Sequence, residues 1–225
     1  MGYPNTPGLH TAEQALSHTQ ARPIGHLRLT APVYYGETVI APILLRYLRD
    51  YLEVSAELNL DNRKVDLVAE NFDLGIRLGP MDASSLMLRQ LAPRVHHVCA
   101  SPAYLAERGV PLTPADLAGH SSLRYRFLNS GKLEEWTLPG LPAMPIALVC
   151  NNMEAMLGAA VSGLGLAYMP DFLARDALAR GELQQVLAEQ LTHSGQFSAL
   201  WPSSRQISPK VRAFVDFASE RLFKG

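Results

Sequence analysis

The chain has 225 residues, 48% of them hydrophobic and 18% charged, with a net charge of −1. That length and apolar content suit one large domain or two small ones with a real core. The 20 Lys and Arg residues are scattered in runs of no more than two, which excludes the clustered basic face of a nucleic-acid reader. No apolar stretch reaches the roughly 20 residues of a membrane helix, and residues 1–24 lack the apolar centre of a signal peptide.

In chain order, residues 1–24 read as a loose tail, with TAEQALSHTQ (11–20) as the end of a helix. A strand, HLRLTA, stops at Pro32. Residues 36–52 carry Val39, Ile40, Ile43, Leu44, Tyr47 and Leu48 on one helical face. Pro42 is either the first residue of the main helix or a kink near its start. SAELNL (55–60) is a strand, Asp61 or Asn62 caps a short helix through Glu70, and LGIRL is a third strand. LMLRQLAP and RVHHVCAS, within 86–101, are extended. A helix begins near Pro102 and stops at Gly109. TPADLAGH opens another, with Thr113 as cap, Pro114 in first place and Asp116 in the first turn.

Residues 121–150 are turn-rich, with SLRYRF, EEWTL and IALVC as strands. NNMEAMLGAAVSG forms an amphipathic helix with Met153, Met156, Leu157, Ala160 and Val161 on one side, ended by Gly163. LGLAYMP is a buried strand, and Asp171 caps a helix to about Arg180. FSALW (197–201) is a strand. Ser208 and Pro209 open a last helix whose face is Val211, Phe214, Val215, Ala218 and Leu222.

Residues 25–98 thus form one βαβαβ block and 99–190, roughly, a second. The tail 195–222 supplies a strand and helix that return to the first. Alternating strands and helices build parallel sheets with right-handed crossovers, and such sheets bind small molecules beyond the carboxyl ends of their strands. Two α/β lobes joined by crossing segments make a cleft with a hinge. Cys99 and Cys150, both in apolar runs, read as buried thiols in a compartment that keeps them reduced. His96 and His97 are adjacent and point to opposite faces of a strand, and the other histidines lack ligand spacing, so no metal is expected. GLGLAY is not a dinucleotide fingerprint, there is no G-x-S-x-G elbow, and neither a cofactor nor a catalytic set is expected.

Several segments, in order, resemble the effector-binding domain of LysR-type transcriptional regulators: LRLTAPVYYG (27–36), VDLVAENFDLGIRLG (65–79), LAPRVHHVCASPAYLAERG (91–109), TPADLAGH (113–120), NNMEAMLGAAVSGLGLAYMPDFLA (151–174) and SPKVRAFVDFASE (208–220). The resemblance covers roughly residues 22–222 and implies a two-lobed α/β fold of the type 2 periplasmic-binding-protein kind. An effector sits between the lobes, and protomers pair side by side as homodimers, with tetramers in the parent protein. It also makes residues 1–24 a tail with the remnant of a linker helix. The first lobe is then 25–98 with 195–225, and the second is 99–194. The winged helix-turn-helix reader of the family does not occur in this sequence.

On this reading Thr30, Ala31, Pro32, Val33 and Tyr34 leave the first strand where a hydroxyl and free N–H groups hold an anion; the plainer alternative is a turn capped by Thr30. Asn151 and Asn152 open a helix that faces Thr30 across the cleft, and one of them can equally be a cap. Arg77 pairs with a ligand carboxylate, or else with Asp66, Glu70 or Asp73. Leu78 and Gly79 end the third strand, where Gly79 admits close backbone approach. Ser101 ends the crossing strand, Tyr125 and Phe127 wall the cleft, and Pro170 with Asp171 closes its floor, though each is equally explained by packing or capping. The expected protein is a non-enzymatic, cytoplasmic effector sensor. Its ligand is small and anionic or aromatic, it reaches DNA only through another domain, and no membrane is involved. A transport-type solute-binding protein and an enzyme on a two-lobed scaffold are the alternatives. The first needs an export signal, and the second a convergent catalytic set.

Overall fold

The computed structural model describes residues 22–78, 86–128, 130–192, 195–203 and 207–222. Its strands are β1 (Gly25–Ala31), β2 (Val54–Leu60), β3 (Leu74–Leu78), β4 (Leu86–Pro93), β5 (His96–Ala100), β6 (Ser122–Tyr125), β7 (Ile146–Cys150), β8 (Leu166–Pro170), β9 (Gln184–Val186) and β10 (Gln196–Pro202). Helix α1 runs in three registers: α-helical over Val33–Tyr35, π-helical over Gly36–Ile40 and α-helical over Ala41–Asp50. The other α-helices are α2 (Pro102–Arg108), α3 (Met153–Val161), α4 (Asp171–Ala179) and α5 (Pro209–Leu222).

The strands form two five-stranded sheets of like winding, ordered β2-β1-β3-β10-β4 and β7-β6-β8-β5-β9. In each, three parallel strands are followed by an antiparallel one, β10 against β3 and β5 against β8. That antiparallel strand reaches each sheet from the other half of the chain. Two short threads therefore join the lobes, one between β4 and β5 and one between β9 and β10. The Arg94 N–H donates to the Gly195 carbonyl at 3.1 Å and ties the threads together. His96 and Val98, expected in the first lobe, sit in the second sheet, because residues 96–100 pair with β8 and β9.

Burial explains why these segments are strands. In β1, Leu27, Leu29 and Ala31 are fully buried at alternate positions against α1 and α5. The second sheet buries both faces. Val98, Ala100, Leu166 and Tyr168 pack on one side, and Cys99, Ala167 and Met169 on the other. Helix α5 returns to the first lobe, where Phe214 meets Tyr47 edge to face at 5.3 Å.

Three local expectations change. Helix α1 starts at Val33, not Gly36, because Asn62 Oδ1 accepts the Val33 N–H at 3.0 Å and so caps its first turn. The π-helical stretch lies just before Pro42, whose missing N–H and bulky ring disturb the preceding turn; a wider turn accommodates both. Residues 61–73 form turns, not a helix: Asp66 Oδ1 accepts the N–H groups of Val68 and Ala69, which suits a turn. EEWTL is not a strand either. It is a loop that buries Trp136 and Leu138 and is held to Thr192 through Thr137.

Gly165 enters β8 so tightly that a Cβ there would stand 2.6 Å from the Ser121 carbonyl oxygen, a backbone atom that cannot yield. Gly165→Ala is therefore expected to lower stability by about 1–3 kcal/mol. Gly158, in helix α3 with open space around it, is the control: Gly158→Ala should stabilise by about 0.5–1 kcal/mol. Urea titration of both variants tests the contrast.

Candidate functional site

The lobes enclose a cavity of about 690 Å³. The first lobe contributes Pro32, Val33, Tyr34, Arg77 and Leu78 to its wall, and the second Tyr125, Phe127, Asn152 and Pro170. These nine were all expected there. The α1 residues arrive because Pro32, extended at φ −58° and ψ 142°, turns the chain from β1 directly into the helix. Asn152 arrives as the cap of α3, its Oδ1 accepting the Ala155 N–H at 2.8 Å.

Four other expected residues are not in the lining. Thr30 is fully buried, and its Oγ1 accepts from Arg77 Nη2 at 3.0 Å, so it neither caps α1 nor lies open. Ala31 belongs to the first core. Ser101 is 3% exposed and caps α2 through the Tyr104 N–H. Asn151 is exposed beside the cap and outside the cavity wall. Gly79 lies outside the described residues. Asp171 is the first residue of α4 rather than its cap, and its carboxylate is bound by His97 at 2.9 Å and by Arg175.

Arg77 does not make the ion pairs considered for it. Asp73 is held by Lys210 and Glu70 by Arg63, while the Arg77 guanidinium bonds the Ile76 carbonyl and Thr30. Burial pulls its pKa below the ordinary value, with Asp61 and Glu70 acting in the opposite direction. It remains a half-buried cation in the wall.

Sequence reading missed most of the seam between the lobes. Tyr35 stacks flat on Phe197 at 3.8 Å, and Phe172 of α4 meets Tyr35 edge-on at 5.0 Å. Phe172 also approaches Tyr34 at 6.0 Å and Phe197 at 5.8 Å, so one aromatic ring of the second lobe contacts three of the first. Asp61, Asn62, Arg63 and Lys64 form one rim, and Glu37 and Glu154 also line the wall. Arg94 pairs with Glu134 and lies 3.0 Å from His96. Glu134 is 4% exposed, and its carboxyl is pushed up to about 7 by burial, against the pull of Arg94 and Arg124. Tyr34 and Tyr125 are likewise raised by burial, so both stay neutral hydroxyl donors. The wall thus offers aromatic faces, hydroxyls and guanidinium groups. Among the described residues no cluster of His, Cys, Asp and Glu could hold a metal, and no helix is long and apolar enough to cross a membrane.

Two like-wound α/β lobes around a polar and aromatic cleft define a small-molecule-binding domain of the two-lobed, type 2 periplasmic-binding-protein kind. The comparisons with known proteins narrow this class. The chain belongs to the LysR substrate binding domain family, whose model matches residues 20–223. It is 35% identical over 223 residues to an HTH-type transcriptional regulator of Xanthomonas campestris pv. campestris, covering 95% of this chain and 64% of the relative. It is 32% identical to the probable HTH-type transcriptional regulator LtrA of Klebsiella pneumoniae, covering 95% of this chain and 72% of the relative. Among solved structures, the regulatory domain of CrgA from Neisseria meningitidis superposes with a TM-score of 0.77 at 28% identity, over 89% of this chain and all of that one.

Proposed function

We propose that this chain is the effector-sensing part of a bacterial LysR-type transcriptional regulator and has no catalytic role. A small anionic or aromatic molecule enters between the lobes, alters their relative angle, and so alters the spacing of DNA readers carried elsewhere in a cytoplasmic dimer or tetramer. The observation that carries this reading is the cavity of about 690 Å³ bounded by both lobes. Its size suits a small organic ligand. The hinge falls at residues 94–95 and 187–192, between the sheets. A ligand shifts the lobe angle only as far as it prefers one state to the other. The transport alternative is not favoured by the relatives, which are named as regulators of transcription.

A melting screen against small carboxylates and aromatic acids tests this. A true effector at 100 times its Kd should stabilise the chain by about 2.7 kcal/mol. Glu154→Trp, which places an indole at an exposed wall position, should abolish the shift while leaving the unliganded melting point nearly unchanged. Hits that shift both proteins equally, or a panel without hits, would defeat the reading.

A further inference from the structure

Tyr35 is 4% exposed, lines the cavity, and among the described residues its hydroxyl has no hydrogen-bond partner. Arg94 lines the same cavity. It uses Nη2 on Glu134 and His96, while its Nε is buried without a partner among the described residues. Buried donors are rarely left unpaired in native proteins, and here two occur in one cavity wall. They are also neighbours. The Arg94 N–H bonds the Gly195 carbonyl, and its Cδ passes 3.7 Å from where a side chain at 195 would begin. Tyr35 lies on Phe197. Positions 195 and 197 are two residues apart, so their Cα atoms stand no more than about 7 Å from one another. Two hydrogen-bond donors, one of them cationic, match a carboxylate.

Glu134 already occupies part of that cation. Four groups face it. Arg94 comes from the thread between the lobes, and His96 from β5, with Nε2 3.7 Å from the carboxylate. Arg124 of β6 donates to the Glu134 carbonyl at 2.9 Å, and Tyr125, also of β6, accepts the Glu134 N–H through its carbonyl. Glu135, next in sequence, is exposed. An anion added beside Arg94 would set two buried negative charges on the one guanidinium that bonds both, since Arg124, though near, donates to the Glu134 backbone carbonyl. Uptake of a single proton removes that excess.

We propose that this seam is a carboxylate subsite: Tyr35 and Arg94 donate to a carboxylate of the effector, and Glu134 takes one proton from solvent as that carboxylate replaces it on Arg94. The proposal rests on the effector-sensing reading and adds to it the ligand's charged group and the proton that travels with it. No bond other than that O–H is made or broken. The raised carboxyl of Glu134 places the exchange near neutral pH.

The test is calorimetric titration of the 225-residue chain with benzoate, anionic throughout, and with neutral benzamide, at pH 6 and pH 8 in two buffers of different ionisation enthalpy. With a carboxyl titrating near 7, benzoate should bind about 10-fold tighter at pH 6 than at pH 8 and take up a proton at pH 8. Benzamide should show neither effect. Glu134→Gln should make benzoate binding independent of pH. Tyr35→Phe, which keeps the stacked ring, should weaken benzoate about 10-fold at both pH values. Four results overturn the subsite: equal benzoate affinity at both pH values, a slope that survives Glu134→Gln and so belongs to His96, unchanged binding by Tyr35→Phe, or no benzoate binding. In that last case, benzamide binding would leave the effector-sensing reading standing. The buffer comparison on the unsubstituted chain measures the proton directly and decides the question even where Glu134→Gln does not fold.

Discussion

Arg94→Met should cost about 3–5 kcal/mol of stability at pH 8 and much less at pH 5, because it leaves a buried carboxylate without its cation. Glu134 and Arg94 are 6% and 16% exposed in their side chains, so solvent does little to replace the lost partner. The direction in pH follows from the raised carboxyl. Folding binds a proton to Glu134 more tightly than the unfolded chain does, so stability falls as pH rises from the ordinary 4.5 toward about 7. Without Arg94 that upper limit moves higher still. At pH 5 the carboxyl is protonated in the folded variant, and only packing and hydrogen bonds are lost. Melting at pH 8 should fall by roughly 10 °C, and adding Glu134→Gln to Arg94→Met should restore most of it. An equal loss at both pH values would falsify the account.

Phe214→Ala is expected to lower stability by about 3–5 kcal/mol at any pH. Phe214 is fully buried where α5 closes the first lobe, edge-on to Tyr47, whose hydroxyl donates to the Lys210 carbonyl at 2.9 Å. Truncation leaves a void that the sheet beneath cannot close, and it loosens the aromatic pair holding the C-terminal helix. Leu52→Ala provides the contrast: Leu52 is 86% exposed, and its loss should change stability by no more than about 0.5 kcal/mol. Chemical denaturation distinguishes the two, and similar midpoints would contradict this placement of the core.

Periodicity and turn chemistry carried most of the architecture. Alternation in β1, helical spacing from Val39 to Leu48 and the face Val211–Phe214–Ala218 of α5 all reflect burial against a neighbouring layer, and that imprint is local in sequence. The segments misread were those whose form is set from far away. Residues 61–73 look able to form a helix, yet Asn62 is drawn off to cap α1 and Asp66 stabilises a turn. EEWTL alternates like a strand, yet it joins neither sheet, and Trp136 packs into the core from a loop.

The cleft divided in the same way. Residues at strand ends and helix starts, such as Pro32, Tyr34 and Asn152, were legible, since parallel sheets present those positions to ligands. Thr30, near the end of β1, and Ser101, the cap of α2, hold like positions but turn inward, which no spacing rule reveals. The pair of Arg94 and Glu134, separated by 40 residues, carries no local signal. Only the crossing of the two threads brings a guanidinium from one to a carboxylate on a loop of the second lobe.

That crossing also orders the birth of the molecule. Every strand of the second sheet lies between His96 and Val186, whereas the first sheet must wait for β10, which inserts between β3 and β4 near the end of the chain. On the ribosome the half made later is completed sooner, and the half made earlier stands with β3 and β4 open until residues 196–202 have emerged. Nascent chains stalled before residue 196 should therefore be the ones that holding chaperones grip.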